Sequence, residues 1–151
     1  MIGKSLILLA LLVPLIGAVP SSPVVRSFGI LQFRPDGTKQ SAVVYSDGTL
    51  DQAYISEKNT HYSDSHLVSD KADREKLFIL ATKIYASSNH TETPSINYDQ
   101  LILSPDAKNK VIIFIETADK KTRRFERGFD EKFDSRDLKQ LDSWLQTLLE
   151  K

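Results

Sequence analysis

Cysteine is absent from the chain, which removes disulfides, iron–sulfur centres, thiol nucleophiles and cysteine-based zinc sites together. Stability must then come from packing. Glycine is scarce, six residues in 151, and none of the six forms a Gly-x-Ser-x-Gly elbow or a phosphate-cradling loop. The sequence also has no His-Glu-x-x-His, and only three histidines. Neither sign of charge dominates, with 20 Lys and Arg against 20 Asp and Glu. A neutral chain lacks the positive surplus that draws a protein to nucleic acid, so no nucleic-acid partner is expected. No apolar run reaches the ~20 residues of a spanning helix. No cofactor-binding signature is present either, and none is expected to be bound.

The N-terminus carries the clearest positive signal. Met-Ile-Gly-Lys precedes an apolar run from Leu6 to Val13, and Pro14-Leu15-Ile16-Gly17-Ala18 follows. That order of charge, apolar core and small residues predicts a secretory signal peptide over 1–18, cleaved after Ala18. The expected location is extracellular. Pro14 and Gly17 would interrupt a longer helix, so no stable membrane span is expected after cleavage. Cleavage takes only Lys4 from the charged set, leaving 19 basic against 20 acidic residues. Residues 19–25, with Pro20 and Pro23, read as an extended lead-in, and 26–151 as a single globular domain.

Three runs between Ser27 and Ile55 alternate apolar with polar residues, the period of strands, with Leu31, Phe33, Val43, Tyr45, Leu50 and Tyr54 as inward positions. "PDGT" at 35–38 and "SDGT" at 46–49 separate them. Asp-Gly suits tight hairpins, so the runs predict a three-stranded meander. Residues 56–71 are polar and predict a solvated loop. After it, Leu77, Leu80, Ala81, Ile84 and Tyr85 recur with helical spacing, capped by Ser69 or Asp70. Strands are predicted at 96–104, 110–117 and 122–128. Val111–Ile115 is apolar at every position, which predicts cover on both faces and a place at the centre of the sheet. A closing helix carries Leu138, Leu141, Leu145, Leu148 and Leu149, bordered by Trp144 and capped by Asp134 or Ser135. The predicted fold is α+β: an antiparallel sheet of about five or six strands with two amphipathic helices packed on it, in the order βββ-α-βββ-α.

Candidate chemistry is sparse. "HYSDSH" places His61, Asp64 and His66 together in sequence, the weak candidates for a metal. Histidine ligands usually share one face of a regular element. A five-residue spacing does not provide that on a helix or a strand, and only a turn at Ser63–Asp64 would bring the three together. A recognition loop is the alternative for the same residues. Among carboxylates, Asp99, Glu116 and Asp119 fall on or beside strands without forming an evident acid–base pair. The one basic patch, "KKTRRFER", offers Lys120, Lys121, Arg123 and Arg124 as binding residues. On a strand Arg123, Phe125 and Arg127 share a face, an arrangement suited to acidic protein groups or, less readily, an acidic glycan. Asn89-His90-Thr91 is a glycosylation acceptor triplet.

The tail "FIETADKKTRRFERGF…DLKQLDSWLQTLL" resembles the closing part of emfourin-type proteins, small α+β inhibitors of thermolysin-like metalloproteases. The matching positions are Phe114–Phe125 and Leu138–Leu149. The family's glycine-rich first hairpin is represented here by "RPDGTK", and the predicted strand 96–104 has no counterpart in it. The resemblance implies the architecture of the family and transfers no functional residue. Together these features predict a secreted, non-enzymatic binding protein with a protein partner, protease inhibition being its most concrete form. The alternative is an exported hydrolase using carboxylates or a metal near residues 61–66.

Overall fold

A computed structural model describes residues 23–56, 58, 60–65, 71–87, 93–94 and 108–149, with the backbone alone at 62–65 and 93–94. The predicted signal peptide, the helix caps Ser69 and Asp70, Asn89, Asp99, the predicted strand 96–104 and His66 lie outside the described residues. The described elements are β1 (Val25–Phe33), β2 (Lys39–Tyr45), β3 (Leu50–Ile55), β4 (Thr60–Ser65), α1 (Lys71–Ser87), the two-residue β5 (Thr93–Pro94), β6 (Lys110–Thr117), β7 (Lys121–Gly128) and α2 (Arg136–Leu149). All the described strands join one antiparallel sheet in the order β4-β3-β2-β1-β6-β7-β5. The α+β expectation therefore holds, with six full strands and two helices.

The meander is built by its turns. In the first, the Gly37 amide donates to the Arg34 carbonyl at 3.1 Å, and Gly37 takes φ of 86°. In the second, Gly48 repeats both features, with φ of 91° and a 2.9 Å bond to the Tyr45 carbonyl. A residue with a Cβ is disfavoured there, and glycine adopts the conformation freely. Asp36 and Asp47 each accept the amide two residues on, from Thr38 at 2.8 Å and Thr49 at 2.9 Å. Those bonds hold both carboxyls below the usual carboxylate range.

β1 is the hinge of the whole topology. It pairs with β2 along one edge, Ile30 opposite Ala42, and with β6 along the other, Ile30 opposite Ile113. β6 is thus interior, between β1 and β7, but β1 and not β6 is the central strand, a correction to the sequence reading. Val111 to Ile115 are wholly buried on both faces, as their unbroken apolar run implies.

Both helices cross one face of the sheet, in opposite directions. α1 starts beside the second turn, where the Arg74 guanidinium lies against Gly48, and ends over β7. α2 starts near β7, the Leu138 amide capped by the Ser135 hydroxyl, and ends over β2 and β3. Lys83 and Asp137 pair between them at 3.2 Å. Beneath them lies the main core of Phe28, Ile30, Ala42, Val44, Leu50, Val111, Ile113, Ile115 and Phe125, with Ala81, Ile84, Leu141 and Leu145 from the helices. Phe78 adds itself to the expected α1 stripe, meeting Phe28 edge-on with centroids 4.8 Å apart.

Leu31, Phe33, Val43, Ile112 and Phe114 form a second cluster on the other face, with Tyr45 and Ile55 at its rim. Of the inward positions read from alternation, Leu31, Phe33, Val43 and Leu50 are buried, but they fall in two clusters on opposite faces. Leu31, Phe33, Val43 and Tyr45 belong to this second cluster, whereas Leu50 joins the main core and Tyr54 is 39% exposed. Because β1 is apolar on both faces, period two does not say which face meets the helices.

The second correction concerns 60–65, expected in a loop and observed as strand β4, with His61 opposite Tyr54 and Asp64 opposite Asp51. Polar side chains do not prevent strand formation at a sheet edge, because the ladder is made by backbone groups that β3 leaves open.

One close approach fixes the register of the centre. A Cβ on Gly29 would lie 2.5 Å from the Ala42 carbonyl oxygen and 2.5 Å from the Phe114 ring. Gly29→Ala is expected to destabilise the fold by about 1–3 kcal/mol in urea unfolding. Adding Phe114→Leu should relieve only part of that loss, since the backbone contact remains.

Candidate binding surface

The basic strand β7 divides its residues between two faces. Arg123, Phe125 and Arg127 share the helix-covered face, as their spacing predicts, but that placement turns them inward. Phe125 is buried at 4% exposure, in the main core. The Arg123 guanidinium stacks on Tyr85 at 4.4 Å from the ring centre and donates to the Tyr85 carbonyl near the end of α1. Arg127 meets Asp142 of α2 through two bonds, Nε to Oδ2 at 2.8 Å and Nη2 to Oδ1 at 3.2 Å. Its Nη1 donates to the Gly128 and Phe129 carbonyls at 3.0 and 2.9 Å. Gln146 donates to Asp142 Oδ1 at 3.3 Å, so both charges are closely satisfied where they are almost buried.

Arg123 is therefore a correction to the sequence-based candidate set: it fastens α1 to the sheet. Arg124 points to the opposite face and pairs with Glu126. Lys120 and Lys121 remain exposed at the β6–β7 turn. The turn is closed by Lys120, whose amide donates to the Thr117 carbonyl at 3.0 Å with φ of 62°. Asp119 accepts the Thr117 hydroxyl and lies 3.6 Å from Lys121, interactions that lower its pKa, the hydroxyl bond most strongly.

His61 is exposed on β4. Positions 61 and 64 are three apart on that strand, so they fall on opposite faces of the sheet. The turn at Ser63–Asp64 that would have gathered them is replaced by continuous pairing with β3. Among the described residues no group of three or more His, Asp and Glu side chains is placed to hold a metal. No described helix is long and apolar enough to cross a membrane. Of the other acids, Glu116 is buried at 8% exposure on the face away from the helices, beside Tyr45. Burial, then the nearby charges of Asp51 and Glu116, push the Tyr45 phenol up to about 12.

Two features escaped sequence reasoning. Gln32, Gln40 and Gln52 occupy helix-facing positions in otherwise apolar strands, and Gln40 and Gln52 close the C-terminus of α2 through bonds to the Leu149 and Leu148 carbonyls at 3.4 and 2.6 Å. Glutamine at inward strand positions was the available signal. An open apolar groove between Val24 and α1, floored by Phe78 and edged by the 68% exposed Ile79, carried none. No protein-family model matches the chain, and no curated protein matches it.

Removing one partner of the Arg127–Asp142 pair should be severe. Arg127→Ala is expected to lose about 3–5 kcal/mol in urea unfolding, whereas Arg127→Met with Asp142→Leu should be nearly neutral. Tyr45 gives a pH signature of its own. Its raised pKa means that the folded state holds the phenolic proton more tightly than the unfolded chain. The contribution is complete below about pH 10 and is lost as pH rises toward about 12. Urea midpoints of Tyr45→Phe should accordingly fall less steeply than wild type across that alkaline window.

Proposed function

We propose that the chain is an exported, non-catalytic binding protein that presents the β6–β7 turn to a protein partner, with inhibition of an extracellular protease as its most concrete form. The observation that carries this reading is the turn itself. Exposed Lys120 and Lys121 stand on a strand whose next inward residues are fastened to both helices, so the tip is held before any partner arrives. Preorganised tips on rigid sheets bind with little loss of conformational freedom. The likeness of Phe114–Phe125 and Leu138–Leu149 to emfourin-type inhibitors supports the inhibitor form.

The pairing register narrows the surface further. The "RPDGTK" turn follows Phe33, which lies opposite Lys110, whereas the β6–β7 turn follows Thr117, opposite Val25. The two turns stand at opposite ends of the sheet and do not share a partner face. The β2–β3 turn at 46–49 stands at the β6–β7 end, since Tyr45 lies opposite Ser27. A polyanionic glycan is the weaker alternative, because Arg123 is spent on Tyr85 and Arg124 on Glu126.

Capture by the purified exported protein tests the proposal. Lys120→Glu with Lys121→Glu should weaken the captured protein partner at least about tenfold. Asp36→Asn, at the other end of the sheet, should leave it unchanged. The opposite pattern transfers the interface to the first hairpin. A thermolysin-type protease that is neither bound nor slowed removes the inhibitor form.

A further inference from the structure

The outer face of α1 carries apolar side chains that the core does not use. Three large hydrophobic side chains are exposed among the described residues, and the two most exposed, Val24 and Ile79 at 68% each, border one groove. The groove has a volume of about 810 Å³, and Val25, Phe78, Thr82 and Ala86 line it between them. A single exposed apolar side chain is ordinary on a protein surface. Two that flank an open apolar channel form a patch, and such patches mark surfaces that a partner covers.

The sequence of α1 states what kind of surface fits. Ala72, Glu75, Ile79, Lys83 and Ala86 are all exposed, and their spacings of three, four, four and three residues keep them on one stripe. The stripe reads alike in both directions from Ile79, except that its charges exchange sign. Glu75 stands one turn before Ile79 and Lys83 one turn after it, each about 6 Å away along the axis, and an alanine closes either end. A second copy laid antiparallel across Ile79 sets Glu75 against Lys83 twice and alanine against alanine at both ends. A parallel copy would oppose like charges. Self-complementarity of this kind is what a two-fold interface requires, because the same patch meets itself.

The intramolecular partners of these charges leave them available. Glu75 lies 3.9 Å from Lys71 and Lys83 lies 3.2 Å from Asp137, with the Glu75 and Lys83 side chains 63% and 69% exposed. Exposed pairs contribute little, and an ammonium has three donors, so Lys83 can serve Asp137 and a second carboxylate together.

We propose that this face of α1 is the interface of a homodimer, in which two copies cross antiparallel at Ile79. Each Ile79 packs against its counterpart and enters the partner's groove beside Val24, which removes both exposed side chains from water. The contact uses one helix face and the residues at the start of β1, less than a standard interface, so the dimer is weak, with a Kd of about 10–100 μM.

Sedimentation equilibrium of the full mature chain, from about 1 μM to about 1 mM, tests the proposal. Wild type should pass from monomer to dimer in that range and stop there, since a two-fold contact closes on itself. Ile79→Lys alters an exposed position, should leave the circular dichroism unchanged, and should raise Kd at least about tenfold. The charges give a readout that apolar stickiness would not. Glu75→Lys opposes a lysine to the partner's Lys83 at both ends, and Lys83→Glu opposes a glutamate to the partner's Glu75, so each variant alone should dimerise about tenfold more weakly. An equimolar mixture of these two variants restores both pairs in the heterodimer and should recover the wild-type Kd. A chain that stays monomeric to about 1 mM, larger species in place of a dimer, an Ile79→Lys dimer as tight as wild type, or a mixture no more dimeric than its separate components overturns the proposal.

Discussion

The bidentate pair between Arg127 and Asp142 is the contact on which the arrangement of layers depends. It joins the last turns of β7 to the middle of α2 at a depth where either charge alone would be strongly disfavoured. Four residues earlier on the same face, Arg123 holds the end of α1. One strand therefore positions both helices, and the distance between two arginines sets the spacing at which they lie side by side. The functional reading follows from this constraint. A strand so anchored cannot offer these arginines to a ligand, and what it presents outward is its turn.

The sheet beneath obeys a different constraint. β1 and β6 bury side chains on both faces, with the larger cluster under the helices and the smaller one opposite. Gly29 permits this double packing, because the space its missing side chain leaves is taken by Phe114 from the neighbouring strand. Around that dry centre the polar groups are placed at the margins. Tyr45, Asp51 and Glu116 interact near one end of the smaller cluster, and the glutamines collect at the opposite end beneath α2.

How far the sequence disclosed this varies by element. The hairpins of the meander and the closing helix were legible because their causes are local: glycine at 37 and 48, serine at 135, leucines at helical spacing. β4 was not, because its cause is the open edge of β3 and not its own side chains. Leu31 and Val43 are buried as their alternation predicts, but which face they occupy was not legible, since apolar residues on both sides of β1 erase the alternation that reports a face. Arg123 and Arg127 were recognised as sharing a side, but whether that side met solvent or helices depended on elements far along the chain. The closure of the end of α2 by Gln40 and Gln52 was hidden for want of any local pattern beyond two glutamines at inward strand positions. The exposed lysines at 120 and 121 were the part of the candidate surface that could be read directly.

The place of β1 at the middle of the sheet also dictates an order of assembly. Its pairing with β2 needs only a short turn, whereas its pairing with β6 joins Phe28 to Ile115 across most of the domain. Closing so long a loop is entropically slow, and the contacts that reward it arrive last. Until then the meander has apolar residues on both sides and neither the second half of the sheet nor α2 to cover them. A chain made or exported from its N-terminus therefore passes through a stage at which its most apolar strand is half paired, and that is the interval in which it is most prone to self-association.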